Sequence, residues 1–292
     1  MNPLKSYICK VTLIGVCLAV ASGAYAQISS INSAVIIQRA FNDIPGGTFT
    51  PNNTFVNPNI GSISLSESGI SKAAAGGLDR DIWYFSNNGG TSAYQFANND
   101  YFDASFGLKL TGSGTAGIDL EAGFLFSNPG GTFGGDLQSI VQASGGVVQF
   151  GGPSYYPFSP AAGGYPPAAG SSPPGGVPNY ALGQTYTMGL NYVVDPNNGL
   201  NSFQYSVNGV FADSSAGDTY FDLQPGVGIA GAGNDLGGYL QIGNDPSNLA
   251  NNGTALFDLS ITPVAAPEPS TFALLGMGIV TLGAMVSRRR RI

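Results

Sequence analysis

The 292 residues are 43% apolar and only 9% charged, with a formal net charge of −7. Histidine is absent, and the two cysteines, Cys9 and Cys17, both precede Gln27, which excludes Ser-His-Asp and Cys-His catalysis and any His- or thiolate-ligated metal in the remainder. Between Gln27 and Ala266, four basic residues (Arg39, Lys72, Arg80 and Lys109) stand against sixteen acidic ones, a balance of about −12 that repels nucleic acid and anionic lipid.

At the front, Lys5 and Lys10 lead into the apolar run VTLIGVCLAVASGA, and Ala24-Tyr25-Ala26 gives the small-x-small pattern that a signal peptidase accepts. Residues 1–26 therefore read as a secretory signal peptide cut between Ala26 and Gln27. Both cysteines leave with it, so the exported fold has to stand on its core without disulfides. Residues 27–264 are long enough for one large β sandwich.

Along that domain, AVIIQRAF and IWYFS are strand-like, and SKAAAGGLD at 71–79 suits one short helical turn. In YFDASFGLKLT a period of two puts Phe102, Ala104, Phe106, Leu108 and Leu110 on one face and Asp103, Ser105 and Lys109 on the other. GIDLEAGFLF repeats the pattern with Ile118, Leu120, Ala122, Phe124 and Phe126, and VVQF is a further short strand. From Gly151 to Pro178, eight prolines and seven glycines fill 28 positions. No ladder survives so many missing donors, so this stretch is expected to be an exposed loop, either a tolerated insertion or an aromatic loop whose Tyr155, Tyr156 and Tyr165 stack on a sugar or a partner.

Beyond it, YTMGLNYVV aligns Tyr186, Met188, Leu190, Tyr192 and Val194, and FQYSV aligns Phe203, Tyr205 and Val207. Asp195-Pro196-Asn197-Asn198-Gly199 joins these two, and Asn208-Gly209, suited to a type I′ turn, joins FQYSV to VFADS, so three successive antiparallel strands are predicted. TYFDL, GYLQI and ALFDLSIT complete about a dozen strands with Gly- and Asn-rich links, and the fold class expected is all-β, an antiparallel β sandwich. Trp83 alternates with Phe85 and fits either a core position or a platform for a sugar ring, which makes it the candidate glycan contact. Asp195, Asn197 and Asn201, or Asn244, Asp245 and Asn248, are turn oxygens of the kind that ligate calcium, although Asx residues cap their own turns for backbone reasons as well. Neither set has EF-hand spacing, and no metal or other cofactor is assigned.

The chain finishes with Pro267-Glu268-Pro269-Ser270-Thr271, an uncharged apolar run from Phe272 to Val286, and Arg288, Arg289, Arg290 and Arg291. The run reads as a marginal membrane helix over about 270–287, and clustered arginines fix its orientation by staying on the cytoplasmic side. This order of parts closely resembles the PEP-CTERM sorting signal of Gram-negative bacteria. The resemblance implies that Pro267, Glu268 and Pro269 are recognised by an exosortase, an integral membrane protease that removes the tail. It also implies release or re-anchoring of the protein at the cell surface or in the exopolysaccharide matrix.

The order of strands from GQTYTMGLNYVVDPNNGLNSFQYSVNGVFADS to GYLQIGND and ALFDLSIT is similar to the C-terminal half of concanavalin A-like lectin/glucanase jelly rolls. That resemblance implies a jelly roll whose last strand returns beside the first, and it points to Gly117-Ile118-Asp119-Leu120-Glu121, because glucanases of this fold carry Glu-x-Asp-x-Glu there. Period two puts Asp119 and Glu121 on one face, but Gly117 replaces the nucleophile, and solvent-facing acids on a strand explain the same residues. No catalytic residue is therefore assigned. The expectation is an exported, non-enzymatic surface or matrix protein; the alternatives are a carbohydrate-binding module or a degenerate glycoside hydrolase.

Overall fold

The computed structural model describes residues 28–42, 46–70, 77–113, 120–127, 137–142, 147–151, 180–211, 218–245, 248–249 and 252–264. The expected signal peptide, the expected C-terminal helix and the sorting residues, the Pro/Gly-rich stretch after Gly151, and Gly117 to Asp119 lie outside these residues. So do residues 71–76 of the expected helical turn, while 77–79 belong to a strand.

After a short 3-10 turn at Ile28–Ser30, the chain forms β1 (Ser33–Asn42), β2 (Gly46–Asn57), β3 (Ile60–Ile70), β4 (Gly77–Ser86) and β5 (Phe102–Ser113). There follow β6 (Leu120–Phe126), β7 (Leu137–Gln142), β8 (Val147–Gly151), β9 (Thr185–Val194) and β10 (Asn201–Val207). The last elements are β11 (Val210–Phe211), β12 (Phe221–Asp222), β13 (Leu236–Asp245), β14 (Asn248–Leu249) and β15 (Asn252–Pro263).

They pair into two antiparallel sheets. One has seven strands in the order β1-β4-β13-β6-β7-β8 with β14 on β13; the other has eight in the order β11-β10-β9-β5-β15-β3-β2 with β12 on β10. The molecule is an all-β sandwich of the jelly-roll kind. Two central strands of the eight-stranded sheet bury one face only: β5 alternates with Phe102, Ala104, Phe106, Leu108 and Leu110 inward, and β15 with Ala255, Phe257, Leu259 and Ile261. Asn208 and Gly209, both at positive φ (51° and 79°), close the β10–β11 hairpin, as Asn-Gly requires. The last strand differs from the sequence expectation. β15 lies between β3 and β5, whereas β1 edges the other sheet beside β4.

The core sits where the two inner faces meet. Trp83 and Phe124 from the seven-stranded sheet interleave with Phe106 and Phe257 from the eight-stranded one. The Trp83 ring lies 5.4 Å from Phe257 and 5.7 Å from Phe106, both edge-on, an arrangement that favours aromatic quadrupoles. Gly238 makes the seat for this ring: a Cβ there would come within 2.7 Å of Trp83 Nε1 and 2.8 Å of Phe257. The middle of the seven-stranded sheet is buried on its outer face as well, where Ile82, Tyr84, Leu125, Ile140 and Tyr239 form a second apolar cluster.

Candidate functional site

That outer face holds the one acid of the glucanase-like motif that is described. On β6, Leu120, Ala122, Phe124 and Phe126 face the core, which turns Glu121 outward onto the second cluster. Glu121 is nevertheless only 2% exposed, so the expectation of a solvent-facing acid is corrected: this sheet is covered on both sides, and period two gave the face but not its burial.

The register brings Gln241 of β13 opposite both Glu121 of β6 and Arg80 of β4. Gln241 Nε2 donates to Glu121 Oε1 at 2.8 Å, Tyr239 donates its hydroxyl to the same oxygen at 3.2 Å, and Arg80 Nε donates to Gln241 Oε1 at 2.7 Å. The Arg80 guanidinium also lies 4.5 Å over the Tyr239 ring and 4.0 Å from Glu121 Oε1. The carboxylate is thus held by fixed donors and a nearby cation, which is how a buried charge is tolerated. A retaining hydrolase needs a second carboxyl about 5 Å away, and an inverting one needs roughly 6.5–9.5 Å with room for water. Here two of the groups that donate to Glu121 are the Gln241 carboxamide and the Tyr239 phenol. Arg80, Tyr239 and Gln241 escaped sequence reasoning because they lie on other strands. The available signal was that Arg80 is one of only four cations in the exported stretch and sits opposite Trp83 in the alternation.

Trp83, the expected glycan platform, is fully buried. Its ring touches Phe85, Phe106 and Phe257 and offers no face to a sugar, so the core alternative is the correct one and the glycan-contact assignment is withdrawn. In the first candidate calcium set, Asp195 Oδ1 caps its own turn by accepting from the Asn197 amide at 2.8 Å, while Asn201 accepts from Tyr101 and donates to the Val227 carbonyl, both at 2.8 Å. Asn244, Asp245 and Asn248 fall on the β13–β14 hairpin, with Asp245 paired to Asn248. Among the described residues, no group of three His, Cys, Asp or Glu side chains could hold a metal ion. Elsewhere, Tyr94 donates to Asp100 Oδ2 at 3.2 Å, and burial, with the Asp100 charge behind it, pushes that phenol above its ordinary range. Burial does the same to Tyr192, whose hydroxyl donates to the Asn98 carbonyl at 2.9 Å; both phenols stay protonated and hold loops.

Residues 265–291 match the family model described as the PEP-CTERM protein-sorting motif, so the sorting residues Pro267, Glu268 and Pro269 and the four arginines from Arg288 to Arg291 all fall within it. No curated protein matches the chain. Among solved structures, the chain is similar to the cellulose-induced protein Cip1, at 14% identity and a TM-score of 0.39 over 78% of this chain and 90% of that one. It is also similar to a variant of alginate lyase A1-II′, at 12% identity and a TM-score of 0.38 over 80% and 95%. A third is the endo-β-1,4-glucuronan lyase of the fungus Trichoderma reesei, at 12% identity and a TM-score of 0.36 over 78% and 94%.

Proposed function

We propose that this is an exported, non-enzymatic component of the cell surface or exopolysaccharide matrix of a Gram-negative bacterium, delivered through its C-terminal sorting signal. The observation that carries the reading is the sorting motif at residues 265–291, which begins just after the last strand ends at Pro263. In this reading a signal peptidase cuts after Ala26, the apolar stretch holds the chain in the inner membrane, and Arg288 to Arg291 fix its orientation. An exosortase-like membrane protease then recognises Pro267, Glu268 and Pro269 and removes the tail. The absence of histidine and the engagement of Glu121 by Arg80, Tyr239 and Gln241 favour a binding or structural role over catalysis.

Intact-mass spectrometry of protein recovered from its native host tests the reading, with a Glu268→Asp, Pro269→Ala variant alongside. The expected mature form starts at Gln27 and lacks the tail from Phe272 to Ile292, and the variant keeps its tail. An intact tail in both proteins would overturn the proposal. Turnover of a polysaccharide that Glu121→Gln abolishes would overturn its non-enzymatic half.

A further inference from the structure

The outer face of the eight-stranded sheet has an unusual composition. Across β2, β3, β15 and β5, one row of neighbours reads Thr50, Ser66, Thr254 and Thr111, and the next reads Thr48, Ser68, Asn252 and Ser113. Two further rows continue with Asn52 and Ser64, then Thr54 and Ser62, before Leu256, Lys109, Asp258 and Gly107 complete the four-by-four patch. Twelve of these sixteen positions therefore carry a hydroxyl or a carboxamide, and the only two charges, Lys109 and Asp258, are opposite in sign. The outer strand is open to solvent at Thr48, Thr50, Asn52 and Thr54. Some side chains brace one another: Ser66 and Thr254 share a 2.9 Å hydrogen bond, and the Asn252 carboxamide accepts from the Ser113 amide at 3.0 Å.

We propose that this face docks a neutral, hydroxyl-rich polysaccharide. The proposal rests on the matrix reading above and names the class of polymer. Each Ser, Thr or Asn both donates and accepts, as each sugar hydroxyl does, so either partner satisfies the other without a desolvated charge. The side chains are short and lose little rotamer freedom on contact. Strands about 4.8 Å apart, with same-face residues about 6.7 Å apart along each strand, present a lattice on which a repeating polymer makes many weak, simultaneous contacts. Other occupants suit it less. A protein partner anchors on aromatic and arginine side chains, and this patch has neither. An anionic polymer meets a patch of no net charge on a domain of about −12.

Co-sedimentation of the full chain with an insoluble neutral glucan, and gel-shift with soluble polygalacturonate, test the assignment. Three variants accompany the natural protein: Thr50→Glu with Ser68→Glu, the conservative Thr50→Ser with Ser68→Thr, and Gln224→Glu on an exposed loop off this face. Melting curves confirm that each is folded. The expected result is glucan binding weakened at least tenfold in the first variant, unchanged in the other two, and no shift with polygalacturonate. Binding that ignores the Glu substitutions, preference for polygalacturonate, or a face whose substitutions alter only self-association or ice growth would each overturn the proposal. Tail processing is read separately by mass, so failure here leaves the sorting reading standing.

Discussion

At Trp83 the sequence could specify a face but not what lies against it. Period two makes Trp83 and Phe85 share a side of β4, and only the second sheet, arriving through Phe106 and Phe257, turns that side into core. Glu121 shows the same limit from the other direction, since a strand acid that looks solvated is buried by partners from β4 and β13. The Trp83 Nε1–H has no acceptor among the described residues, which costs part of what the ring contributes. Trp83→Ala should therefore lose about 3–5 kcal/mol in a urea titration, as large buried truncations do. Trp83→Phe should lose about 1 kcal/mol or less, because the smaller ring leaves a gap but removes the unpaired donor. A Phe variant as damaged as the Ala variant would show that the indole nitrogen has an acceptor after all.

Among the strands, those with several large apolar residues at period two were legible, whereas β2 and β3 were not read, although IGSISLSESGI of β3 alternates in burial as β5 does. YFDASFGLKLT and YTMGLNYVV became β5 and β9, and the Asn-Gly hairpin fell where expected. Strand β2, GGTFTPNNTFVN, was missed because glycine, proline and paired asparagines read as a loop, and its pairing with β3 overrides that local chemistry. Pro51 has a second role there. A twelve-residue outer strand with no charged side chain would template another chain, and proline on an edge strand turns its nitrogen to solvent, removing a donor that such a partner needs. Pro51→Thr should raise the oligomer fraction severalfold in sedimentation velocity at fixed concentration while the monomer melts within about 1 kcal/mol of the natural protein. A monomeric Pro51→Thr protein would remove this role from Pro51.

For the molecule as a whole, composition excluded and periodicity assigned. Few charges, 43% apolar residues and many Gly and Asn marked a foldable domain, the period-two runs made it a β sandwich, and the two antiparallel sheets bear out that fold class. Urea midpoints measured with and without reductant should coincide; a shift would show that Cys9 or Cys17 is retained and cross-linked. What composition could not supply was the order of strands, because pairings between residues nearly two hundred positions apart leave no local trace: Ser66 meets Thr254. The placement of β15 also fixes when the protein can fold. The strand that fills the gap between β3 and β5 is the last of the described strands in chain order. Until Asn252 to Pro263 has been made, β3 and β5 lack the strand that pairs with both, so closing this sheet depends on a non-local contact. A chain cut anywhere before Asn252 would keep those edges open and be prone to pair with its neighbours instead of with itself.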